Sequence, residues 1–184
     1  MTRVLAISGS LRRGSYNTGL LRAAAANTPA EVEIEIYEEL EDLAPYNEDR
    51  EVDPPASVRG LLDEIRSADA LLLATPEFNT TLPGQLKHLV DWASRPYGPE
   101  AALYGKPVAV IGASQTDYGA MWAQDTLRKA LGIAGARVAG VELAVARAQE
   151  KFGSDGELAD EETREQLEHV VRGLAEHHRA TVSV

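Results

Sequence analysis

Apolar, strand-like runs alternate with helical patterns five times along the 184-residue chain. The runs are "RVLAIS" (3–8), "VEIEIY" (32–37), "ADALLLAT" (68–75), "PVAVIGAS" (107–114) and "ARVAGVEL" (136–143). Helical spacing fills 17–27, 55–67, 83–95 and 119–132, and a last helix is expected over 160–178. The period supports these helices: Val58, Leu61, Leu62 and Ile65 fall at i, i+3, i+4 and i+7, and so do Leu167, Val170, Val171 and Leu174. Strands one, three and four are almost continuously apolar, as parallel strands buried on both faces are. "VEIEIY" alternates and belongs nearer an edge. Five βα units of this kind predict an α/β fold, a parallel sheet covered by helices on both faces. Ligands are then expected at the carboxyl ends of the strands, where the strand order reverses. The site should therefore lie in the loops after strands one, three and four.

Punctuation agrees with this division. Pro54-Pro55 opens the second helix, Pro83 suits the first turn of the third, and "GSDG" (153–156) reads as a turn before the last. That helix starts with Asp160, Glu161 and Glu162 and ends with His177, His178 and Arg179, an order that complements a helix dipole. No repeat or long linker interrupts the chain, so 1–184 is expected to form one domain.

Composition narrows the chemistry. Without cysteine there is no disulfide framework, thiolate metal site or cysteine nucleophile, and redox chemistry needs a borrowed cofactor. The composition suits a reducing cytoplasm, and the opening residues show no long apolar run or cleavage pattern, so a cytoplasmic protein is expected. No segment approaches the roughly 20 apolar residues that span a bilayer. A net charge of −11 repels nucleic acid and anionic membranes, so neither is an expected partner and any phosphate site must be local.

Such a site is offered by "GSLRRGSYN" (9–17), between a buried strand and a helix whose first backbone N–H groups point outward and favour an anion. Ser10, Ser15 and Asn17 can add neutral donors and an arginine a fixed charge, an inventory that fits a phosphate monoester. The competing reading is a helix cap at Ser15 or Asn17 with Arg12 and Arg13 solvated. The G-x-x-x-x-G-K-[ST], G-x-G-x-x-G and G-x-S-x-G patterns are all missing. The second loop, within "TPEFNTTLPGQLKHLVDWASRP" (75–96), sets prolines and polar residues after the most buried strand, so its backbone groups need partners outside the sheet. A planar heterocycle held by the backbone of Glu77, Phe78 and Asn79 is one solution. An ordinary turn capped by Asn79, Thr80 or Thr81 is the other.

Taken together, "GSLRRGSYN", "PEFNTTLPGQLKHLVDW" and "GASQTDYGAMWAQDTLRKAL" (112–131) resemble the NAD(P)H-dependent FMN reductase family, which includes flavin, quinone, azo and chromate reductases. The resemblance covers most of the chain. It implies a flavodoxin-like three-layer sandwich with a five-stranded parallel sheet in the order 2-1-3-4-5. It also implies FMN as cofactor, with the phosphate at Ser10, Arg12, Ser15 and Asn17 and the isoalloxazine at Pro76, Glu77, Phe78 and Asn79. Arg13 holds a variable position. Phe78 stands where the family often has Tyr, so only its packing and backbone are carried over. After strand four the familiar "S-x-S-x-G-G" is replaced by Gly112, Ala113, Ser114, Gln115, Thr116, Asp117, Tyr118 and Gly119. Ser114 and Gln115 are expected at the flavin and Tyr118 on the nicotinamide or acceptor side, with a structural loop as the alternative.

By the same resemblance, hydride passes from NADPH or NADH to FMN N5 and on to a small-molecule electron acceptor in a ping-pong scheme, and no side chain is assigned a catalytic role. The family reading further implies a homodimer or homotetramer whose second subunit walls the flavin, supported if an apolar patch surrounds the third helix. A flavodoxin-type FMN electron carrier is the alternative function, and a non-redox phospholigand module a third. His88, His169, His177 and His178 form no metal spacing, and no metal is expected. Trp92 reads as a packing or interface anchor, and Trp122 fits either a packing or a functional role.

Overall fold

The computed structural model describes residues 1–182. Five strands, β1 (Thr2–Ser8), β2 (Val32–Tyr37), β3 (Ala70–Thr75), β4 (Pro107–Ala113) and β5 (Arg137–Val145), form one sheet in the order β2-β1-β3-β4-β5. All four pairings are parallel, with Val4 opposite Ile34 on one side and Ala70 on the other. Five helices connect and follow the strands: α1 (Tyr16–Ala26), α2 (Ala56–Ser67), α3 (Gly84–Ala93), α4 (Met121–Ile133) and α5 (Glu161–Val182).

Alternation along the strands divides the core into two layers. Val4, Ala6, Leu72, Ala74, Ala109 and Ile111 pack with the apolar stripes of α1 and α5. Leu5, Ile7, Leu71, Leu73, Val108 and Val110 face the other way, onto α2, α3 and α4. The middle of each of the three central strands is therefore enclosed by helix layers on both sides, which is why polar residues in these runs are confined to their ends. The alternating β2 lies at one edge as expected, with Glu33 and Glu35 exposed. β5 is the other edge, and Gly140, Glu142 and Ala144 stay exposed beyond α4.

Element boundaries moved by a few residues. Helix α4 starts at Met121, not 119, because Gly119 and Ala120 have left-handed φ angles of 57° and 62°. α5 continues to Val182, beyond the expected 178. The carboxylate of Asp160 precedes α5 and accepts the Thr163 N–H (3.0 Å), serving as its cap.

The long β2–α2 connection lies against α3 and is pinned by one side of that helix. Gln85 Nε2 donates to the carbonyls of Leu40 (3.1 Å), Glu41 (3.1 Å) and Leu43 (2.8 Å). One turn on, His88 Nδ1 accepts the Tyr46 N–H (3.2 Å), and Trp92 Nε1 donates to the Ala44 carbonyl (2.8 Å). Just past the helix, Arg95 reaches Tyr46 Oη (3.1 Å) and pairs with Glu51 (3.1 Å). Trp92 is 1% exposed, so it packs within the chain and has no surface to offer a second subunit.

Candidate functional site

The order 2-1-3-4-5 reverses direction at β1, whose neighbours β2 and β3 follow on opposite sides. The crevice predicted for such a reversal opens at the carboxyl ends of β1, β3 and β4. Its walls are the loops 9–15, 76–83 and 114–120.

The first loop leaves β1 at Ser8. Gly9 continues the sheet by donating to the Ala74 carbonyl (2.8 Å) and passes so close to α3 that a Cβ would lie 2.9 Å from Leu86 Cδ2. The loop ends at Ser15, the N-cap of α1, whose hydroxyl accepts the Thr18 N–H (3.4 Å). The first α-helical bond runs from Gly19 N–H to the Ser15 carbonyl (2.9 Å), so the N–H groups of Tyr16 and Asn17 precede the ladder and face the cleft. The Arg12 guanidinium sits 5.8 Å from the centroid of the Tyr16 ring, at the cleft's rim. Beneath the loop, Thr18 Oγ1 donates to Ser8 Oγ (2.9 Å), which also receives the Ser10 N–H (3.3 Å).

Asn17 does something different from the neutral donor expected of it. It is 4% exposed, its Nδ2 donates to the Ala113 carbonyl (3.1 Å), and its Oδ1 accepts the Ala113 N–H (3.0 Å). The side chain thus clamps the start of α1 to the end of β4, holding the first and third walls together.

The second loop folds as a tight hairpin. Phe78 N–H donates to Thr81 O (3.0 Å) and Thr81 N–H to Phe78 O (3.2 Å), with Asn79 and Thr80 at φ 51° and 62°. Two successive positive φ values make this a type I′ geometry. The Phe78 amide is therefore committed to the hairpin, a correction to its expected role on the ring edge, while its side chain, 56% exposed, borders the cleft mouth. The Glu77 carboxylate turns away from the cleft and accepts the Ala123 N–H (3.1 Å) in the first turn of α4, where a negative charge complements the helix dipole.

The third loop is tied to the end of β5 and the chain just past it: Ser114 N–H donates to Val145 O (3.0 Å), and the Arg147 and Ala148 N–H groups donate to Thr116 O and Ser114 O (both 2.9 Å). At Gly119 a Cβ would lie 2.5 Å from the Ala144 carbonyl carbon, so neither the space nor the φ of 57° admits another residue. Gln124, 1% exposed, donates to the Gly119 carbonyl (3.0 Å) and accepts from Arg128 (3.1 Å), while Arg128 also holds Val110 O (2.8 Å).

Together the three loops enclose a cleft of about 720 Å³, within the range typical of small-molecule sites. Ser10, Arg12, Ser15, Asn17, Pro76, Glu77, Phe78, Ser114 and Gln115 line it. Asn79 and Tyr118 do not: Asn79 sits at the outer tip of the hairpin, and Tyr118 packs at a tilt against Trp122, 4.7 Å between centroids, on exposed surface beside the cleft. Gln85 lines the cleft and went unrecognised in the sequence, as did Ser8 and Gln124 behind it. A polar residue on the same helical stripe as Leu127 and Leu131 was the available signal for Gln124. Among the described residues, no group of three or more His, Asp or Glu is placed to hold a metal.

The family model described as NADPH-dependent FMN reductase matches residues 2–150. The chain belongs to that family. An NAD(P)H-dependent FMN reductase of Pseudomonas aeruginosa is 40% identical over 174 residues, covering 94% of this chain and 92% of that one. A quinone reductase of Pseudomonas putida is 42% identical over 129 residues, 70% of this chain and 68% of that one. Among solved structures, the flavoenzyme NAD(P)H:(acceptor) oxidoreductase of Paracoccus denitrificans aligns with a TM-score of 0.88 at 34% identity, covering 98% of this chain and 99% of that one. The protein is thus a flavodoxin-like, NAD(P)H-dependent flavin oxidoreductase that uses FMN. The cleft fits that cofactor in its own chemistry: first-turn N–H groups, hydroxyls and Arg12 gather at one end, and Pro76, Phe78 and Pro83 give the other an apolar wall.

Proposed function

We propose that residues 1–184 act as one FMN-binding unit that draws electrons from NADPH or NADH and passes them to a small acceptor of quinone type in a ping-pong scheme. The observation that carries this reading is the cleft itself, charged and hydrogen-bonding at the α1 end, apolar at the hairpin, and open on one side. The name of the P. putida relative supports the quinone class, and that of the Paracoccus flavoenzyme supports transfer to an acceptor of unstated kind.

When bound, FMN supplies the two-electron chemistry, accepting hydride and giving up electrons. The chain's own residues bind and orient. Ser10, Ser15, Arg12 and the N–H groups of Tyr16 and Asn17 hold the phosphate; Arg12 adds the one guanidinium on that wall, and its charge-assisted bonds fix the cofactor's end. Pro76 and the Glu77 backbone would flank the ring system, with Ser114 and Gln115 closing the opposite side and Phe78 shielding the mouth. No acid–base pair is required of the protein, whose contribution is orientation. The open side of the cleft would admit donor and acceptor in turn, which supports the ping-pong reading.

Apolar surface that would support a homodimer or homotetramer lies in two places, the first beside α3, where exposed Tyr97 and Ile133 border a pocket with Lys87, Val90 and Asp91. The second is formed by Phe78, Tyr118, Met121 and Trp122, between 40% and 56% exposed, beside the cleft mouth. A second copy seated there would wall the flavin. The cysteine-free, acidic composition supports a cytoplasmic setting without nucleic-acid or membrane partners; no helix among the described residues is long and apolar enough to cross a membrane.

Titration with FMN and riboflavin tests the phosphate end: FMN should bind more tightly, and equal affinity would refute the assignment of the 9–17 loop. Initial rates across a grid of NADPH and quinone concentrations test the scheme, with parallel double-reciprocal lines expected and intersecting lines contradicting it.

A further inference from the structure

Behind the phosphate loop, on the side toward β2, lies a second pocket of about 190 Å³. Arg12 and Arg13 enter it from the loop, Arg22 from α1, and Glu38 and Glu41 from the chain just past β2. It shares Ser10, Leu11 and Arg12 with the cofactor cleft, so a ligand bound here would adjoin one held in the cleft.

Most arginines outside this pocket are paired, Arg50 and Arg137 being, like Arg13 and Arg22, without an ion pair among the described residues. Arg3, Arg59, Arg66, Arg95, Arg128, Arg147, Arg164 and Arg172 each pair with a carboxylate. Among the described residues, Arg13 and Arg22 make no ion pair or hydrogen bond, although the chain has 29 acidic side chains against 18 basic ones. Three guanidiniums against two carboxylates leave the pocket at +1 within a protein of −11. Planar forks without carboxylate partners suit a phosphate monoester, which presents three acceptor oxygens and up to two negative charges. The carboxylates suit the hydroxyls of a sugar. In dinucleotide sites arginine accommodates the 2′-phosphate of NADPH, where an acid would instead accept the 2′-hydroxyl of NADH.

We propose that Arg13 and Arg22 form the subsite for the 2′-phosphate of the electron donor, with Glu38 or Glu41 accepting from the 3′-hydroxyl of the same ribose, and that the enzyme prefers NADPH for this reason. The proposal rests on the reading of the chain as an NAD(P)H oxidoreductase. Arg12 belongs to the flavin end, which leaves Arg13 and Arg22 to discriminate.

The test uses FMN-loaded protein at low ionic strength, where exposed charges are least screened. Calorimetry compares adenosine 2′,5′-bisphosphate with 5′-AMP on the wild type and on the Arg13→Ala/Arg22→Ala double variant. The bisphosphate should bind roughly 10-fold more tightly to the wild type, from charge-assisted bonds at an exposed site, and the advantage should vanish in the variant. The NADPH:NADH ratio of kcat/KM should fall by a similar factor, with NADH-driven turnover and FMN affinity unchanged. An unaltered ratio in the variant, or equal binding of both nucleotides to the wild type, overturns the proposal. Weakened FMN binding in the variant overturns it too, by giving these arginines to the flavin phosphate. If the nucleotide preference holds while neither NADPH nor NADH reduces the flavin, the subsite stands and the oxidoreductase reading fails.

Discussion

Replacing Asn17 by alanine should cost stability before it costs chemistry. The side chain supplies both partners of the Ala113 peptide groups, at 3.1 and 3.0 Å, in a position only 4% exposed. Alanine supplies neither. A buried backbone donor or acceptor left without a partner costs about 1–3 kcal/mol, and the neighbouring cleft lets water relieve part of that, so the total is roughly 2–4 kcal/mol. For a domain of this size the melting temperature should fall by roughly 4–16 °C. The control is Ser15→Ala, which removes a single long cap bond of 3.4 Å and should cost no more than about 1 kcal/mol. Thermal and urea unfolding of the FMN-free protein measure the first effect, and FMN titration the second. Because the clamp joins two walls of the cleft, FMN affinity should also drop in Asn17→Ala. An unchanged melting temperature with weakened FMN binding would refute this reasoning and make Asn17 a direct ligand.

Arg12→Ala should weaken FMN binding by about 10- to 100-fold, the worth of charge-assisted hydrogen bonds, with the melting temperature of the FMN-free protein unchanged; a larger loss in Arg13→Ala, read by the same titration, would reverse the assignment within the pair. Gly119→Ala should yield little folded protein, or a lower melting temperature and a disturbed cleft, since the new Cβ falls on the Ala144 peptide at a positive φ. Hydrogen bonds from Thr163 and from Lys151 hold the Asp160 carboxyl down at about 2. Since its folded pKa is depressed, the contribution is complete above the ordinary value of 3.8 and is lost as pH falls through about 2. Unfolding curves between pH 5 and pH 2 should therefore show a smaller acid loss in Asp160→Asn, whose amide oxygen still caps α5 without titrating, than in the wild type.

What could be read from the sequence follows from the range of the interactions concerned. The βα alternation, the edge position of "VEIEIY" and the three site loops rest on periodicity and local punctuation, and all are found in the fold. The polar side chains of the site were harder to interpret because their partners are distant in sequence. Asn17 binds a residue 96 positions away and Glu77 one 46 away, so nothing near either residue reveals that one clamps and the other caps. Phe78 was misjudged because the left-handed pair Asn79-Thr80 lacks the glycine that usually signals such a hairpin. The delayed start of α4 has the same origin in Ala120. Trp92 belonged to the core because a neighbouring loop, not a neighbouring subunit, supplies its carbonyl partner.

The central claim is that the cleft at the carboxyl ends of β1, β3 and β4 holds FMN open to a nicotinamide and then to a quinone. Anaerobic stopped-flow spectroscopy of the FMN-loaded protein addresses it most directly. The flavin absorption band should bleach in a single phase on mixing with NADPH or NADH, at a rate that saturates with donor, and should return in full when quinone is added in a second mix. Failure of both nicotinamides to bleach the band, in protein shown by titration to hold FMN, would contradict the account.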